Sequence, residues 1–321
     1  MDCTNKLQVI VGDATIGMRG EGFSYIFSGA RAGMESLVRD GKEWLYRSPM
    51  PTFWRALTDN DRGCGLALKS GMWIGADCFI KCIGITVSID DAPIAVPMAP
   101  ANNVYGGAVP ADRATVTYVY ETITQPSTQV TVKYEVLTGG SIHVQVHYEG
   151  RKGLPELPVF GMRFVMPTCA DRYRYEGLSG ETYPDRMAGG VPGIYEIEGL
   201  PVTQYLVPQD CNVHMQTKWV EVYRSEVLDN SCKENRESGI RFSAEDGRDF
   251  AFACIPYTAM ELENATHQEE LPPARRTVLT VLGAVRGVGG INSWGADVEP
   301  PYHISAEDDI DYGFFIGGVE Q

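Results

Sequence analysis

The stretch Ser141-Ile142-His143-Val144-Gln145-Val146-His147-Tyr148 alternates apolar and polar side chains along most of its length. This period-two pattern is typical of a half-buried β-strand, in which successive side chains point to opposite faces of a sheet. The ranges 130–137 and 114–124 alternate in the same way, and turn-forming residues at 125–128 and 139–140 separate the three runs. The sequence therefore predicts a three-stranded antiparallel meander.

The rest of the chain extends this pattern. Further strands are predicted at 7–11, 23–27, 159–166, 217–223, 250–254 and 276–285. No run of apolar residues at helical spacing exceeds two turns, and 35 glycines and 19 prolines are spread along the chain. We therefore predict an all-β protein, a large antiparallel β-sandwich, with a single domain over 1–321. In that interpretation, 1–50 is an extended N-terminal strand segment that packs on the sandwich.

Charge and cysteine content narrow the function classes. A net charge of −15 argues against nucleic-acid binding, because phosphates would be repelled. The eight cysteines are scattered without a zinc-type spacing, which predicts neither a disulfide framework nor a metal site. No signal peptide is visible at the start, and no run of about 18 apolar residues occurs. We therefore expect a reduced, cytoplasmic protein that does not enter membranes.

Two glycine-rich stretches, at 62–75 and 286–301, interrupt the strand pattern. Glycine permits close backbone approach to a ligand, or motion, because it adopts dihedral angles closed to other residues. The second stretch contains Trp294. An exposed indole there is a natural platform for the C–H face of a sugar, whereas a buried indole would be a packing residue. The other tryptophans have apolar or strand-like neighbours and are predicted to be buried: Trp44, Trp54, Trp73 and Trp219.

Acidic side chains are present, but their spacing selects no catalytic pair. Glycoside hydrolysis needs two carboxyl groups about 5–5.5 Å apart for retention, or about 6.5–9.5 Å for inversion. The candidates are Asp59, Asp61, Glu176, Glu181 and Asp185. The first two lie in a turn-like segment, where such side chains usually bond nearby backbone. We therefore predict no catalytic residue on this chain.

Two histidines support an alternative function. His143 and His147 lie on the polar face of one predicted strand, which is most simply a solvated face. A histidine pair with a carboxylate could also exchange sugar protons, as in an aldose 1-epimerase. A freestanding carbohydrate-binding module is a third hypothesis. Phosphate-loop, dinucleotide and serine-hydrolase motifs are absent from the sequence.

Three motifs carry a resemblance to a known family. The segment PTFWRALTDNDRG at 51–63 closely resembles the start of the C-terminal domain of family 2 β-galactosidases. GLSGETYPDR at 177–186 and GVGGINSW at 287–294 are similar to two later segments of that domain, in the same order. The resemblance extends over nearly the whole chain, and a chain that starts just before this domain resembles the separate small subunit of two-chain enzymes of the lactobacillus type.

The resemblance implies a galactose-mutarotase-like supersandwich that assists hydrolysis of β-galactosides such as lactose. It implies that the nucleophile and the acid/base, both glutamates, lie in the TIM barrel of a large partner subunit. It also implies that Mg²⁺ and Na⁺ are held by that partner and that this chain carries no cofactor. The isolated chain is then expected to be inactive.

The resemblance also implies site residues. Trp294 falls on a tryptophan that stacks against the sugar, and Ser293 and Asn292 beside it are expected to contribute to substrate binding. Gly63, Cys64 and Gly65 fall at the start of a mobile loop beside the active site. One departure occurs at 208–212, where PQDCN replaces the usual PQENG, and we assign no role to that turn.

Overall fold

A computed structural model describes residues 6–96, 107–228 and 236–319. Within those ranges the chain forms three antiparallel sheets and only short helices. The all-β prediction is therefore confirmed. None of the helices in these ranges is long and apolar enough to cross a membrane.

The first sheet has six strands in the order β5-β4-β3-β2-β1-β9. They are β1 (Leu7–Gly12), β2 (Thr15–Gly20), β3 (Phe23–Ser28), β4 (Gly33–Arg39), β5 (Lys42–Glu43) and β9 (Val109–Ala111). Residues 7–43 thus run back and forth as hairpins, where the sequence predicted an extended segment within 1–50. The prediction of a single domain over 1–321 stays a prediction.

The second sheet has ten strands in the order β15-β14-β17-β18-β21-β12-β11-β10-β7-β8. They are β7 (Lys81–Ile89), β8 (Ala92–Ile94), β10 (Arg113–Glu121), β11 (Gln129–Leu137), β12 (Ile142–Tyr148), β14 (Arg172–Leu178), β15 (Pro192–Glu198), β17 (Trp219–Arg224), β18 (Ser238–Ala244) and β21 (Ile310–Gly318). The predicted meander is β10, β11 and β12, and its buried positions alternate with half-buried or exposed ones.

The third sheet has five strands in the order β16-β19-β20-β13-β6. They are β6 (Arg47–Thr52), β13 (Val159–Met166), β16 (Val213–Thr217), β19 (Phe250–Ile255) and β20 (Thr277–Val285). The helices are α1 (Asp59–Gly63), α2 (Leu66–Ser70) and α3 (Ala259–Asn264), with 3₁₀ turns at Gly71–Trp73, Gln268–Glu270 and Pro300–Tyr302.

Aromatic side chains join the sheets into one core. Phe164 of β13 packs edge-on against Phe242 of β18, with ring centroids 5.0 Å apart. Phe27 of β3 contacts Tyr134 of β11 at 5.4 Å, and the Tyr118 hydroxyl of β10 donates to the Ser28 carbonyl of β3. The five- and six-stranded sheets therefore both pack against the ten-stranded sheet.

The register of the third sheet brings two chain segments to the same edge. In β13, Gly161 pairs with Thr52 of β6 on one side and with Leu282 of β20 on the other. Because β13 is antiparallel to both neighbours, β6 and β20 run in the same direction and end at the same edge. The segments that follow them, 53–63 and 286–301, are thereby neighbours.

The six described cysteines are free thiols. They are Cys64, Cys78, Cys82, Cys169, Cys211 and Cys254. The other two, Cys3 and Cys232, lie outside the described residues.

Candidate sugar-binding site

The short helix α1 begins at a capping box. The Thr58 hydroxyl accepts a hydrogen bond from the Asp61 backbone N–H at 3.1 Å, and the Asp61 carboxylate accepts one from the Thr58 N–H at 3.0 Å. This reciprocal arrangement satisfies two backbone donors at a helix start. Turn-like bonding was predicted for the Asp59–Asp61 segment, and for Asp61 the structure contains it.

Asp61 also lies between two buried arginines. The Arg55 Nη2 lies 3.1 Å from both Asp61 oxygens, and the Arg286 Nη1 lies 3.3 Å from Oδ1. All three side chains are buried. Burial by itself lowers the pKa of Arg55, but Asp61, Asp210 and Tyr183 together outweigh it and raise that pKa above its usual value. We call Arg55, Asp61 and Arg286 the arginine–aspartate cluster.

The cluster holds the loop that follows β20. Arg55 donates to the carbonyls of Arg286 and Gly287, each at 2.7 Å. Asp185 accepts hydrogen bonds from the backbone N–H groups of Val288, at 2.9 Å, and Gly289, at 2.7 Å. The three motifs at 51–63, 177–186 and 287–294 therefore meet at one place, although they are far apart in the sequence.

A glycine pair brings α1 against the same loop. Gly295 has a φ of +77°, and a Cβ added there would lie 2.5 Å from the Gly63 carbonyl oxygen. Only glycine fits this close approach in the left-handed region. Asn60 of α1 adds a hydrogen bond from its Nδ2 to the Val288 carbonyl at 2.9 Å. The two glycine-rich stretches singled out in the sequence are thus in direct contact.

Trp294 projects from the loop into solvent and is 91% exposed. Within the chain it is therefore not a packing residue. The Asn292 Oδ1 accepts the backbone N–H groups of Trp294, at 2.9 Å, and Ala296, at 3.3 Å, which fixes the local turn. Asn292 and Ser293 are exposed beside the indole. The other tryptophans are buried as predicted: Trp44, Trp54, Trp73 and Trp219.

A further acidic side chain, which was not predicted from the sequence, supports the Trp294 loop. Asp297 contacts both Arg286 and Lys69, which connects the base of the Trp294 loop to α2. Burial works against the charged form, but hydrogen bonds from Lys69 and Arg286 bring the pKa of Asp297 well below its usual range. The predicted loop start lies between these contacts, with Gly63 ending α1, Cys64 as its C-cap and Gly65 before α2 at a φ of +75°.

The other candidate carboxylates have partners within the fold. Glu176 accepts hydrogen bonds from Lys218, at 2.9 Å, and from the Trp219 indole, at 2.8 Å. Glu181 accepts the Asn212 backbone N–H at 2.7 Å. In the described ranges, no group of three or more His, Cys, Asp or Glu side chains could hold a metal ion.

The positions of His143 and His147 do not fit the aldose 1-epimerase alternative. His143 lies 2.7 Å from Glu245, and His147 lies 2.8 Å from Asp311. Four residues apart on one strand, the two histidines are separated by roughly 13 Å along it. That separation is too large for both imidazoles to flank one anomeric carbon.

The PQDCN turn, to which no role was assigned, packs beneath α1. The Gln209 Oε1 accepts the Asp59 backbone N–H at 2.6 Å, and Asp210 accepts the Tyr183 hydroxyl proton at 2.9 Å. Burial raises the pKa of Asp210 to about 6. Asn212 has a φ of +60°, at the position where the family pattern has glycine. The turn therefore has a structural role in supporting α1.

Comparison with known proteins identifies the family. The family model described as "Beta galactosidase small chain" matches residues 19–316. The chain belongs to this family. The membership expected from the three motifs is thereby confirmed, and the small chain can be compared with its relatives.

The relatives of the small chain are of two lengths. It is 61% identical over 314 residues to the β-galactosidase small subunit of Latilactobacillus sakei, covering 98% of both chains. It is 33% identical over 317 residues to a β-galactosidase of Halalkalibacterium halodurans, covering 98% of the small chain and 28% of that protein. A β-galactosidase of Streptococcus thermophilus is 31% identical, with 27% of its length covered. The small chain thus spans about a quarter of these longer relatives.

Among solved structures, the small chain is similar to a galactose mutarotase-like protein from Lactobacillus casei. The TM-score is 0.41 with 10% sequence identity, covering 94% of the small chain and 99% of that protein. At this TM-score the likeness carries no argument about function.

Asp61→Asn tests the arginine–aspartate cluster. The substitution removes the carboxylate that Arg55 and Arg286 share in a buried place, so the free energy of unfolding should fall by about 3–5 kcal/mol. Urea unfolding measures the loss. The matched control is Asp59→Asn, an exposed acid of the same helix, which should cost less than about 1 kcal/mol. Equal losses from both variants would contradict a special role for Asp61.

The pH dependence of stability tests the burial of Asp210. Its folded pKa of about 6 lies above the ordinary value of 3.8, so its neutral form favours the folded state. This contribution is full below the ordinary pKa and is lost as the pH rises through about 6. Asp210→Asn should therefore gain stability relative to the unmodified chain between pH 4.5 and 7.5, measured by urea unfolding at each pH. A difference that is constant with pH would show that Asp210 titrates normally.

Proposed function

We propose that this chain is the non-catalytic small subunit of a two-chain, retaining β-galactosidase that acts on terminal β-D-galactosides such as lactose. In this proposal it binds a large catalytic subunit and supplies one wall of the sugar site. The observation that carries the proposal is the exposed Trp294 indole on a loop anchored by buried charges, in a member of the small chain family.

The anchored loop suits sugar binding for a physical reason. Galactose presents a patch of C–H groups that packs against an aromatic face, and such contacts gain most when the ring is already held in place. Buried ion pairs, hydrogen bonds donated by backbone N–H groups to Asp185, and the Gly63–Gly295 contact fix the base of the loop. The tip is left with little to pack against inside the chain, so the indole is available to a ligand.

The residues beside Trp294 supply polar contacts. The side-chain Oδ1 of Asn292 already accepts two backbone N–H groups of the turn. The Nδ2 of the same side chain is left to donate to a sugar hydroxyl. The Ser293 hydroxyl is exposed and can donate or accept. Gly63, Cys64 and Gly65 form the start of a loop that moves when substrate binds. Their position against Gly295 would couple such motion to the Trp294 loop.

Cleavage requires groups from the partner. Retaining hydrolysis uses two carboxyl groups about 5–5.5 Å apart, one as nucleophile and one as acid/base. Four candidate carboxylates instead bind arginines, backbone N–H groups or neighbouring side chains: Asp61, Asp185, Glu176 and Glu181. We therefore assign both catalytic glutamates, and any Mg²⁺ or Na⁺, to the large subunit. The assembled enzyme is assigned to the cytoplasm.

Complementation tests this division of labour. The purified chain should hydrolyse no nitrophenyl β-galactoside, and adding the cognate large subunit should give turnover that saturates with the amount of small chain. Accelerated mutarotation of α-galactose by the chain alone, measured by polarimetry, would support the epimerase alternative. Turnover of the galactoside by the chain alone would contradict the assignment of both glutamates to the partner.

Trp294→Ala tests the platform in the assembled enzyme. Loss of one aromatic contact should raise KM, with a cost of roughly 1–3 kcal/mol in kcat/KM. Trp294→Phe keeps an aromatic face and should recover part of the loss. Because the indole is exposed, the unfolding midpoint of the free chain should not change. Unchanged kinetics together with a large loss of stability would contradict the platform.

A further inference from the structure

An apolar surface lies beside the proposed sugar site. Its members are large hydrophobic side chains that remain exposed in the fold: Leu68, Met72, Ile74, Phe79, Ile83 and Ile123. We call this set the apolar face. Leu68 is 93% exposed and Phe79 is 68% exposed, values far from those of core residues. Single exposed hydrophobic residues are ordinary, but a contiguous group usually marks a binding surface.

Several contacts make the apolar face continuous. The Met72 sulfur accepts the Gln125 backbone N–H at 3.3 Å, which brings the 3₁₀ turn after α2 beside Ile123. Lys81 of β7 pairs with Glu121 of β10, so Phe79, just before β7, and Ile123, just after β10, lie at the same end of this strand pair. A Cβ built on Gly75 would lie 3.8 Å from the Phe79 ring.

The segment 79–85 has apolar side chains both against the core and at the surface. Ile80, Cys82 and Ile85 pack against the core, whereas Phe79 and Ile83 are exposed. Phe79 lies just before β7, and Ile83 lies where the pairing of β7 with β10 shifts register. Two apolar layers on the two faces of a strand are typical of a strand that is covered on both sides.

Charge is sparse around the apolar face. Charged residues make up 21% of the chain, yet the stretches 122–128 and 287–296 contain none. In 64–86 the charged residues are Lys69, Asp77 and Lys81, and Asp77 is buried against Arg163. The surface of this segment thus exposes two lysines and no carboxylate in a chain of net charge −15. Depletion of charge is the compositional mark of an interface core.

The apolar face is contiguous with the Trp294 loop. Lys69, next to Leu68, contacts Asp297 at the base of that loop, and Gly63 contacts Gly295. A partner whose catalytic groups reach a sugar on Trp294 can therefore contact this surface as well. Relatives more than three times as long contain this sequence as about a quarter of one chain, so they carry further chain that can cover it.

We propose that the apolar face is the docking surface for the large catalytic subunit, an inference that rests on the proposed function. The matching surface on the large subunit is apolar, with a carboxylate placed to meet Lys81. A permanent interface of this kind buries on the order of 2,000 Å² or more, which is larger than one loop can provide.

The experiment measures the affinity of full-length variants for the cognate large subunit. Phe79→Asp and Leu68→Asp should each weaken binding by roughly 10-fold or more, because a carboxylate would be desolvated in an apolar contact. Their unfolding midpoints should match that of the unmodified chain, since both side chains are exposed in it. At saturating small chain, kcat and KM should return to normal, which separates docking from sugar binding.

Ile194→Asp is the matched control, because Ile194 is 53% exposed on β15, at the opposite edge of the ten-stranded sheet. It should bind the large subunit normally. Normal binding by both face variants, or an equal loss from Ile194→Asp, would overturn the docking surface. Face variants that lose only self-association, seen by sedimentation, would overturn it in favour of a second copy of the chain. An unmodified chain that neither binds nor activates the large subunit would instead overturn the proposed function itself.

Discussion

The arginine–aspartate cluster is the constraint on which the proposed site depends. Arg55 and Asp61 come from the segment after β6 and Arg286 from the segment after β20, and each is buried. Removing guanidinium and carboxylate groups from water is costly unless their geometry is well satisfied. The segments after β6 and β20 therefore have little freedom to separate, and α1 is fixed against the loop that carries Trp294. We therefore expect these buried charges to fix the geometry of the site more than they raise the net stability of the fold.

The effect of this constraint is to hold an exposed ring at a defined position. Trp294 is an aromatic residue exposed at the tip of a loop, whereas the base of that loop is held by buried charges and backbone hydrogen bonds. The apolar face extends from the same place through α2 to β7. One side of the molecule thus combines a platform for a sugar with a surface for a large partner. Neither feature has an evident use in a chain that works alone.

The sequence predicted those parts of the fold that have a periodic signal. Alternation predicted β10, β11 and β12 because half-buried strands bury every second residue. It failed for β21, whose three glycines weaken the strand pattern although Gly313 and Gly317 pair with neighbouring strands. The cluster was not predictable from spacing, because Asp61 and Arg286 are 225 positions apart. Family motifs pointed to the right segments, and only the folded chain reveals which charges meet.

The most direct measurement is a structure of the assembled two-chain enzyme with an unreactive β-galactoside bound. The face of the Trp294 indole should lie in van der Waals contact with the sugar, at about 4 Å, with the catalytic carboxylates contributed by the large subunit. The arginine–aspartate cluster should be unchanged beneath the loop. A sugar bound away from Trp294, with the indole still in solvent, would contradict the account.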